Sequence, residues 1–573
     1  MRVSGLFRKL PAVAATLVAL APHAQAQTPP DAGALRQQIE REQSTRLPRK
    51  TAPEVPAAPV PMRPVIGISV TVREFRFAGN TLISAKQLAP VVAAYLNRPL
   101  DFAQLQAAAS AVASAYHEAG WIVRAYLPAQ DIDDGIITIQ IVEAVFGKLR
   151  LDYKLSLEGK AQARVGMDQV ERMFGAQQKS GVVLNTDVID RALLLADDLP
   201  GITVVGSLAE GTNEGETDLV LKLGAEPLLV GDAGLDNTGS RSTGANRVTA
   251  NLSFNSPLGF GDLVSSSVIH TQGSDYLRLG ATFPLGSNGW RIGANASGMS
   301  YKLIAPEFLA LNGKGTSATY GLEASYPIIR ARLKNLYFNA AADSKTFDNE
   351  SAGATTTRYT VDSTTFGLTG NLFDNLAGGG ANSASLSFTQ GRLDLDGSAN
   401  QAADAATTRS AGSFSKLRYA ATRQQVITDS VSLFGSLTGQ VASKNLDSSE
   451  KFYLGGSSGV RAYPASEGGG AEGALLTLEL RWRLPEGFNL TAFQDSGSVT
   501  VNRNNDYTGA ASPKVIALRG SGLSLAGQSS SGLNLKLTWA RRQGRNPNST
   551  ASGNDQDGSH VIDRLWLTTS LPL

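Results

Sequence analysis

Residues 475–483 read Leu-Leu-Thr-Leu-Glu-Leu-Arg-Trp-Arg, and the alternation within that stretch decides the fold. On a strand, Leu476, Leu478, Leu480 and Trp482 share one face and Thr477, Glu479, Arg481 and Arg483 the other. Residues 532–540 repeat the pattern, with Leu533, Leu535, Leu537 and Trp539 opposed to Asn534, Lys536 and Thr538. So do residues 276–283, where Leu277, Leu279, Ala281 and Phe283 oppose Tyr276, Arg278 and Thr282. A soluble sandwich alternates as well. Here the polar face keeps carrying Arg, Lys and Glu while the apolar face ends in Trp or Phe, the pattern of a lipid-facing belt around a wet lumen. After Pro227 helical periodicity is lost, and stretches of period two alternate with Gly, Asn, Asp and Ser. At roughly 22 residues per strand plus loop, 228–573 has room for about 16 antiparallel strands. The expected fold over 227–573 is therefore a transmembrane β-barrel.

The rest of the chain fits that expectation. Residues 1–26 read as a secretory signal: Arg2, Arg8 and Lys9 form a basic start, Leu10 to Ala21 an apolar core, and Ala24-Gln25-Ala26 a cleavage site. Beyond residue 26 no apolar run reaches about 18 residues, so no transmembrane helix is expected. A closed barrel is then the one way to satisfy every backbone group in lipid. The 573 residues include no cysteine, which excludes disulfides and thiolate metal sites. A net charge of +2 gives no argument for a nucleic-acid partner.

Between signal and barrel the pattern is α+β. Residues 31–43 form a short, largely polar helix with Leu35 and Ile39 on one face and Arg36 among its polar residues; it reads as a frayed terminus or as an element in a wet cavity. Residues 44–65, with six prolines, read as a semi-rigid linker. Over 66–145 the order is β-α-α-β-β. The first strand carries Val70, Val72, Phe75 and Phe77. Ser84 with Gln87, and Asp101 with Gln104, open the two helices as capping boxes, the second helix running from Phe102 past Tyr116. Strands follow around 122–127 and 136–142, joined by Asp133-Asp134-Gly135. Residues 146–226 repeat the order, with helices at 167–174 and 186–196. The repeat points to two tandem modules, each with its own core.

Several motifs, in one order along nearly all of the mature chain, carry a family resemblance. Phe75-x-Phe-x-Gly-Asn80, Gly120-Trp121 and Ala125-Tyr-Leu-Pro-x-Gln130 resemble a POTRA signature, as do Asp198-Leu-Pro-Gly201 and Gly215-x-Thr217-Asp-Leu219 in the second module. Asp236-Asn237, Thr243-Gly244 and Gly261-Asp262 open the barrel as family barrels do. Leu454-Gly455-Gly456 leads into Gly459-Val460-Arg461-Ala462-Tyr463, which resembles the family's sixth extracellular loop, and Phe493-x-Asp495-x-Gly497 resembles its partner strand. The chain resembles two-partner secretion transporters of the outer membrane (TpsB type; the ShlB/FhaC/HecB family), within the POTRA-plus-barrel superfamily.

That resemblance implies an outer-membrane pore that exports a large adhesin- or haemolysin-like exoprotein, recognised by its N-terminal secretion domain, without ATP. It implies that 27–43 is a plug helix in the lumen, with Leu35, Arg36 and Ile39 as its marked residues, and that two periplasmic POTRA modules hold the unfolded client. Client contacts would fall on Phe75, Phe77, Phe102 and Tyr116, by strand addition or along a helix groove. Further partners implied are outer-membrane lipid, lipopolysaccharide and, during biogenesis, the barrel-assembly machinery. It also implies that Arg461 pairs with Asp495 to hold the loop against the barrel wall, supported by Gly459, Val460, Tyr463, Phe493 and Gly497. Many members have Gly where this chain has Ala462. Either Ala462 takes negative φ, or the tip differs. Members usually end in an aromatic residue; this chain ends in Leu573, although Leu565, Leu567, Leu571 and Leu573 still alternate as a final strand.

Two enzyme-like patterns are rejected. Gly455-x-Ser457-x-Gly459 and Gly468-x-Gly470-x-x-Gly473 both lie in a glycine-rich loop between barrel strands, not at the strand-to-helix turns their chemistry requires. No catalytic, metal or cofactor site is expected. The rival functions are a factor that inserts other barrels and a passive porin; the two-module count argues against the first, and the periplasmic modules against the second.

Overall fold

A computed structural model describes residues 29–43, 70–130, 132, 134–151, 164–213 and 215–573. The expected signal, the 44–65 linker and Asp133 lie outside the described residues. Among those described, sixteen strands close into a barrel, each paired with its neighbour in sequence and the last returning to the first. In chain order they are β1 Leu229–Asp236, β2 Arg247–Asn255, β3 Leu263–Thr271, β4 Ser274–Leu285, β5 Trp290–Lys302, β6 Lys314–Arg330, β7 Lys334–Ser351 and β8 Ala354–Asp374. There follow β9 Gly380–Asp394, β10 Gly412–Val426, β11 Val431–Ala442, β12 Glu472–Arg483, β13 Asn489–Thr500, β14 Val515–Gln528, β15 Asn534–Arg542 and β16 Asp563–Pro572.

Register carries the alternation around the wall. Leu476 lies opposite Leu437, and Leu480 opposite Leu433, with all four exposed on the outside. Thr477 and Glu479 point inward, opposite Asp495 and Phe493. The closing seam is short. β16 pairs with β1 over Thr568–Pro572 and Asp232–Asp236, after which the Asn237 side chain continues the ladder, donating to Leu565 O at 3.1 Å and accepting from Leu567 N at 2.8 Å.

Inside the barrel lies helix α1, Ala32–Gln43. Its Leu35 and Ile39 pack on Tyr276, Met299, Tyr301 and Phe347. The expected wet lumen is dry in one place: the inner wall carries an apolar, aromatic patch, and a helix with only two large apolar side chains on one face is matched to it.

The two modules are three-stranded sheets, each covered by two helices. In the first, helices α2 Ala85–Val92 and α3 Phe102–Glu118 start at the expected capping boxes. The first strand is broken, contrary to expectation. Val70–Thr71 pairs with Pro99–Leu100 and Glu74–Ala78 runs parallel to Ile136–Glu143, the chain stepping sideways so that Val72 drops into the core. In the second, helices α4 Met167–Gln177 and α5 Thr186–Asp197 cover the sheet. α5 joins the parts. At its start Thr186 N donates to Gly120 O of the first module at 2.8 Å. From its side Asp190 takes Arg332, and just past its end Asp198 takes Arg330, both as two-point pairs between 2.7 and 3.0 Å with the β6–β7 turn region.

Candidate functional site

The segment between β11 and β12 does not stand out from the barrel. It folds into the lumen, and its tip is built by sequence-local contacts. Val460 N donates to Leu454 O at 2.7 Å and Tyr463 N to Val460 O at 3.0 Å. Gly459 lies so close to the Leu454 carbonyl that no side chain fits there. Leu454, Val460, Ala462 and Tyr463 pack with Leu475, Phe493, Val499 and Leu518 of the wall, so the loop has a small apolar core of its own. Gly497 faces Leu454 in that core, and a Cβ there would come within 2.6 Å of it.

The structure brings Arg461 and Asp495 together. Arg461 Nε donates to Asp495 Oδ2 at 2.9 Å, Nη2 to Oδ1 at 2.8 Å and the backbone N to Oδ2 at 3.1 Å. Thr477 Oγ1 adds a bond to Oδ1 at 3.0 Å, so this fully buried carboxylate accepts four hydrogen bonds. The guanidinium also lies 3.4 Å from the centre of the Phe493 ring, which gives that residue a place in the site through cation–π attraction. Planar fork, carboxylate and ring together fix the loop tip in orientation as well as position.

Three contacts escaped the sequence reading. Arg461 Nη1 donates to Glu479 Oε1 at 2.9 Å, so the arginine is shared by two carboxylates on adjacent strands. Glu479 stands on the polar face of 475–483, and its alternation already marked it as a lumen residue. Trp566 Nε1, on the closing strand, donates to the Arg461 carbonyl at 2.7 Å. Arg542 of β15 lies over the Tyr463 ring at 4.5 Å.

Ala462 settles the open question about the tip. It is fully buried and is not among the residues with positive φ. What the position requires is small size. Ala462 lies against Gly520 of β14, where an added Cβ would come within 2.5 Å of the Ala462 Cβ.

α1 is tied to loop and wall by polar contacts along its whole length. At its start Asp31 accepts from Ser448 Oγ at 2.8 and 2.9 Å, and Ala32 N donates to Asn349 Oδ1 at 3.0 Å. At its end Arg41 Nη2 donates to Ser458 O at 2.8 Å, and Glu42 accepts from Arg247 at 2.6 Å. Arg247 also holds Asp236 at 2.7 Å, so one guanidinium joins the helix to the first strand. Arg36 is buried, bonded to Glu40 at 2.7 Å. Nearby, Glu450 pairs with Lys345 at 2.9 Å and with Lys416.

The four residues marked in the first module are not equivalent. Phe75 and Tyr116 are core residues and present no surface to a partner, contrary to their assignment as client contacts. Burial, with the Glu143 carboxylate beside it, pushes the Tyr116 phenol up to about 12. Phe77 is half-buried, and Phe102, 53 % exposed at the start of α3, is the accessible one.

With this geometry in place, comparisons identify similar proteins. A family model described as "Haemolysin secretion/activation protein ShlB/FhaC/HecB" matches residues 215–527, and a model of the ShlB-type POTRA domain matches residues 70–144. The heme/hemopexin transporter protein HuxB of Haemophilus influenzae is 24 % identical over 528 residues, covering 89 % of this chain and 91 % of that protein. The outer membrane transporter CdiB of Dickeya dadantii is 26 % identical over 467 residues, covering 78 % and 79 %. Among solved structures, CdiB from Escherichia coli superposes with a TM-score of 0.69 at 21 % identity, covering 96 % of this chain and 100 % of that one.

Proposed function

This chain belongs to the ShlB/FhaC/HecB family of haemolysin secretion/activation proteins, and we propose that its parts divide the work of two-partner secretion as follows. The protein sits in the outer membrane with its POTRA modules in the periplasm, and it transports a partner exoprotein through the barrel. The modules capture the client unfolded, with Phe102 and the free edges of the two sheets as the accessible surface. α1 is the plug: it leaves the lumen, the client threads outward, and folding at the surface biases the movement. Arg461 with Asp495 and Glu479 anchors the loop so that the lumen keeps its shape while the helix moves. No ATP and no catalytic residue take part. The outer face meets lipid and lipopolysaccharide, and the barrel-assembly machinery inserts the chain.

The observation that carries this reading is the chemistry of the lumen. Hydrogen bonds and ion pairs hold α1 along its length, and water can replace these as the helix withdraws, whereas a helix packed on all sides by apolar groups would have to expose them. The test is conductance in planar bilayers. A chain lacking residues 29–43 should conduct more than the full mature chain and still enter the membrane; equal conductance would remove the plug from the scheme.

A further inference from the structure

The outer wall carries a groove that belongs to neither lock nor plug. Register places Ala296, Tyr320, Ser344, Asp362 and Arg392 on one outward rung across β5–β9, and Ala294, Leu322, Ala342, Thr364 and Gln390 on the next. Both rungs line a cavity of about 1020 Å³. Its β5–β7 end is apolar: small alanines form the floor, and Tyr320 and Leu322, 68 and 65 % exposed, stand out beside it. Its β8–β9 end is polar.

The height of each end follows from the fold. The modules dock on the β6–β7 turn region, so that rim is periplasmic and the opposite rim extracellular. On β8 and β9 the outward apolar residues end at Phe366 and Phe388, one outward step below Thr364 and Gln390. Rungs cross strands at right angles, and barrel strands tilt by about 35–45°, so the groove climbs obliquely from the apolar belt to the outer surface. At its top is Arg392, exposed, with Asp362 opposite it on β8 but no hydrogen bond or ion pair to that or any other of the described residues. Two other outward arginines are neutralised: Arg358 by Asp348 at 2.6 Å, and Arg423, at the periplasmic rim, by Asp374 at 2.7 Å.

An apolar trough leading to an unpaired guanidinium at the height of the outer headgroups fits an anionic amphiphile of the outer leaflet. We propose that the groove binds the lipid A part of lipopolysaccharide. One acyl chain lies over Ala294, Ala296 and Ala342. Arg392 takes a phosphate, for which its planar fork is suited. Ser344, Thr364 and Gln390 bond the glucosamine, and the Asp362 carboxylate accepts from the sugar's N–H and O–H groups. From β5 to β9 the groove spans roughly 19 Å at ~4.8 Å per strand, about half of it apolar and open to the acyl chain and the rest polar and open to the sugar and phosphate. The proposal rests on the outer-membrane location and is independent of the route taken by the client.

The test titrates the full mature chain in detergent with deep-rough lipopolysaccharide, read by native mass spectrometry. The expected result is one molecule bound. Losing the charge-assisted contact in Arg392→Ala should weaken binding about tenfold. Ala296→Trp, which fills the trough, should weaken it comparably, and Arg358→Ala should leave it unchanged. All three variants should keep the heat-modifiable mobility of a closed barrel, so a lost site is separable from a lost fold. Unchanged affinity in both groove variants, equal competition by phosphatidylglycerol, or pairing of two barrels through this face in place of lipid would each overturn the proposal. Lipopolysaccharide binding is read without any client, so a failure of export would count against the proposed function alone.

Discussion

Removing the guanidinium of Arg461 should do more damage than removing its principal partner. In Arg461→Ala the Asp495 carboxylate stays fully buried and keeps only the Thr477 hydroxyl and the backbone N–H of residue 461. An uncompensated buried charge costs about 3–5 kcal/mol. In Asp495→Ala the arginine retains Glu479 at 2.9 Å and the Phe493 ring at 3.4 Å, so the loss is of charged hydrogen bonds alone, about 1.5–3 kcal/mol. The double variant should be milder than Arg461→Ala and well short of the sum, because removing Asp495 as well takes away the stranded carboxylate. At ~1.4 kcal/mol per factor of ten, the docked-to-undocked ratio of the loop falls by roughly two to four orders of magnitude in Arg461→Ala. Because the native chain has no cysteine, Ser457→Cys on the loop and Thr491→Cys on the wall give clean sites for spin-label distances in purified barrels. The arginine variant should broaden the distance distribution most, and export of the partner should fall in the same order while heat-modifiable mobility shows normal insertion. Additive losses, a worse defect in Asp495→Ala, or a loop that stays docked in both single variants would refute the reasoning.

Two further outcomes follow from the packing. Gly520→Leu should displace the loop tip through Ala462 and reduce export roughly as Arg461→Ala does, whereas Gly527→Ala at the periplasmic end of the same strand should not; equal export by Gly520→Leu and the wild type would show that the approach of loop to wall is slack. Arg247→Ala removes a side chain that holds Glu42 of the helix and Asp236 of β1 together, and should raise open-channel events in bilayers severalfold without changing the conductance of a single opening. An unchanged opening frequency would place the hold on α1 elsewhere.

The barrel was legible from side-chain alternation because its wall is one layer thick and each residue has only two directions to face. Leu476, Leu478 and Leu480 meet lipid, Thr477 and Glu479 the lumen, and no further layer of packing scrambles the pattern. The helices of the first module were legible from Ser84–Gln87 and Asp101–Gln104, where local hydrogen bonds fix the start. Three things were not legible. The lumen's aromatic patch, Tyr276, Met299, Tyr301 and Phe347, hides among inward positions that are otherwise polar, and becomes a surface only when distant strands curve together. Contacts such as Arg247 with Glu42, or Trp566 with Arg461, join residues far apart in sequence, and no local spacing records them. The broken first strand of the first module depends on Val72 leaving the ladder for the core, a choice made by tertiary packing against strand propensity. The lock itself was visible only as two motifs. It is reinforced by Glu479 and Phe493, which the alternation had already turned inward without showing what they would meet.

The hydrogen bond from Trp566 to the Arg461 carbonyl also bears on how the barrel can close. Its donor lies on the sixteenth strand, and that strand has only a short ladder with β1 on which to close. The loop lies earlier in the chain, and its core packs on β12, β13 and β14, all of which precede β16 in sequence. A nascent barrel that closed first would have to pass a folded loop into a finished cylinder. One that seats the loop first offers the incoming strand a waiting acceptor. On that order, loop docking would act as a checkpoint in biogenesis: a chain with an unseated loop should linger as an open sheet, exposed to periplasmic proteases, before any client is at hand.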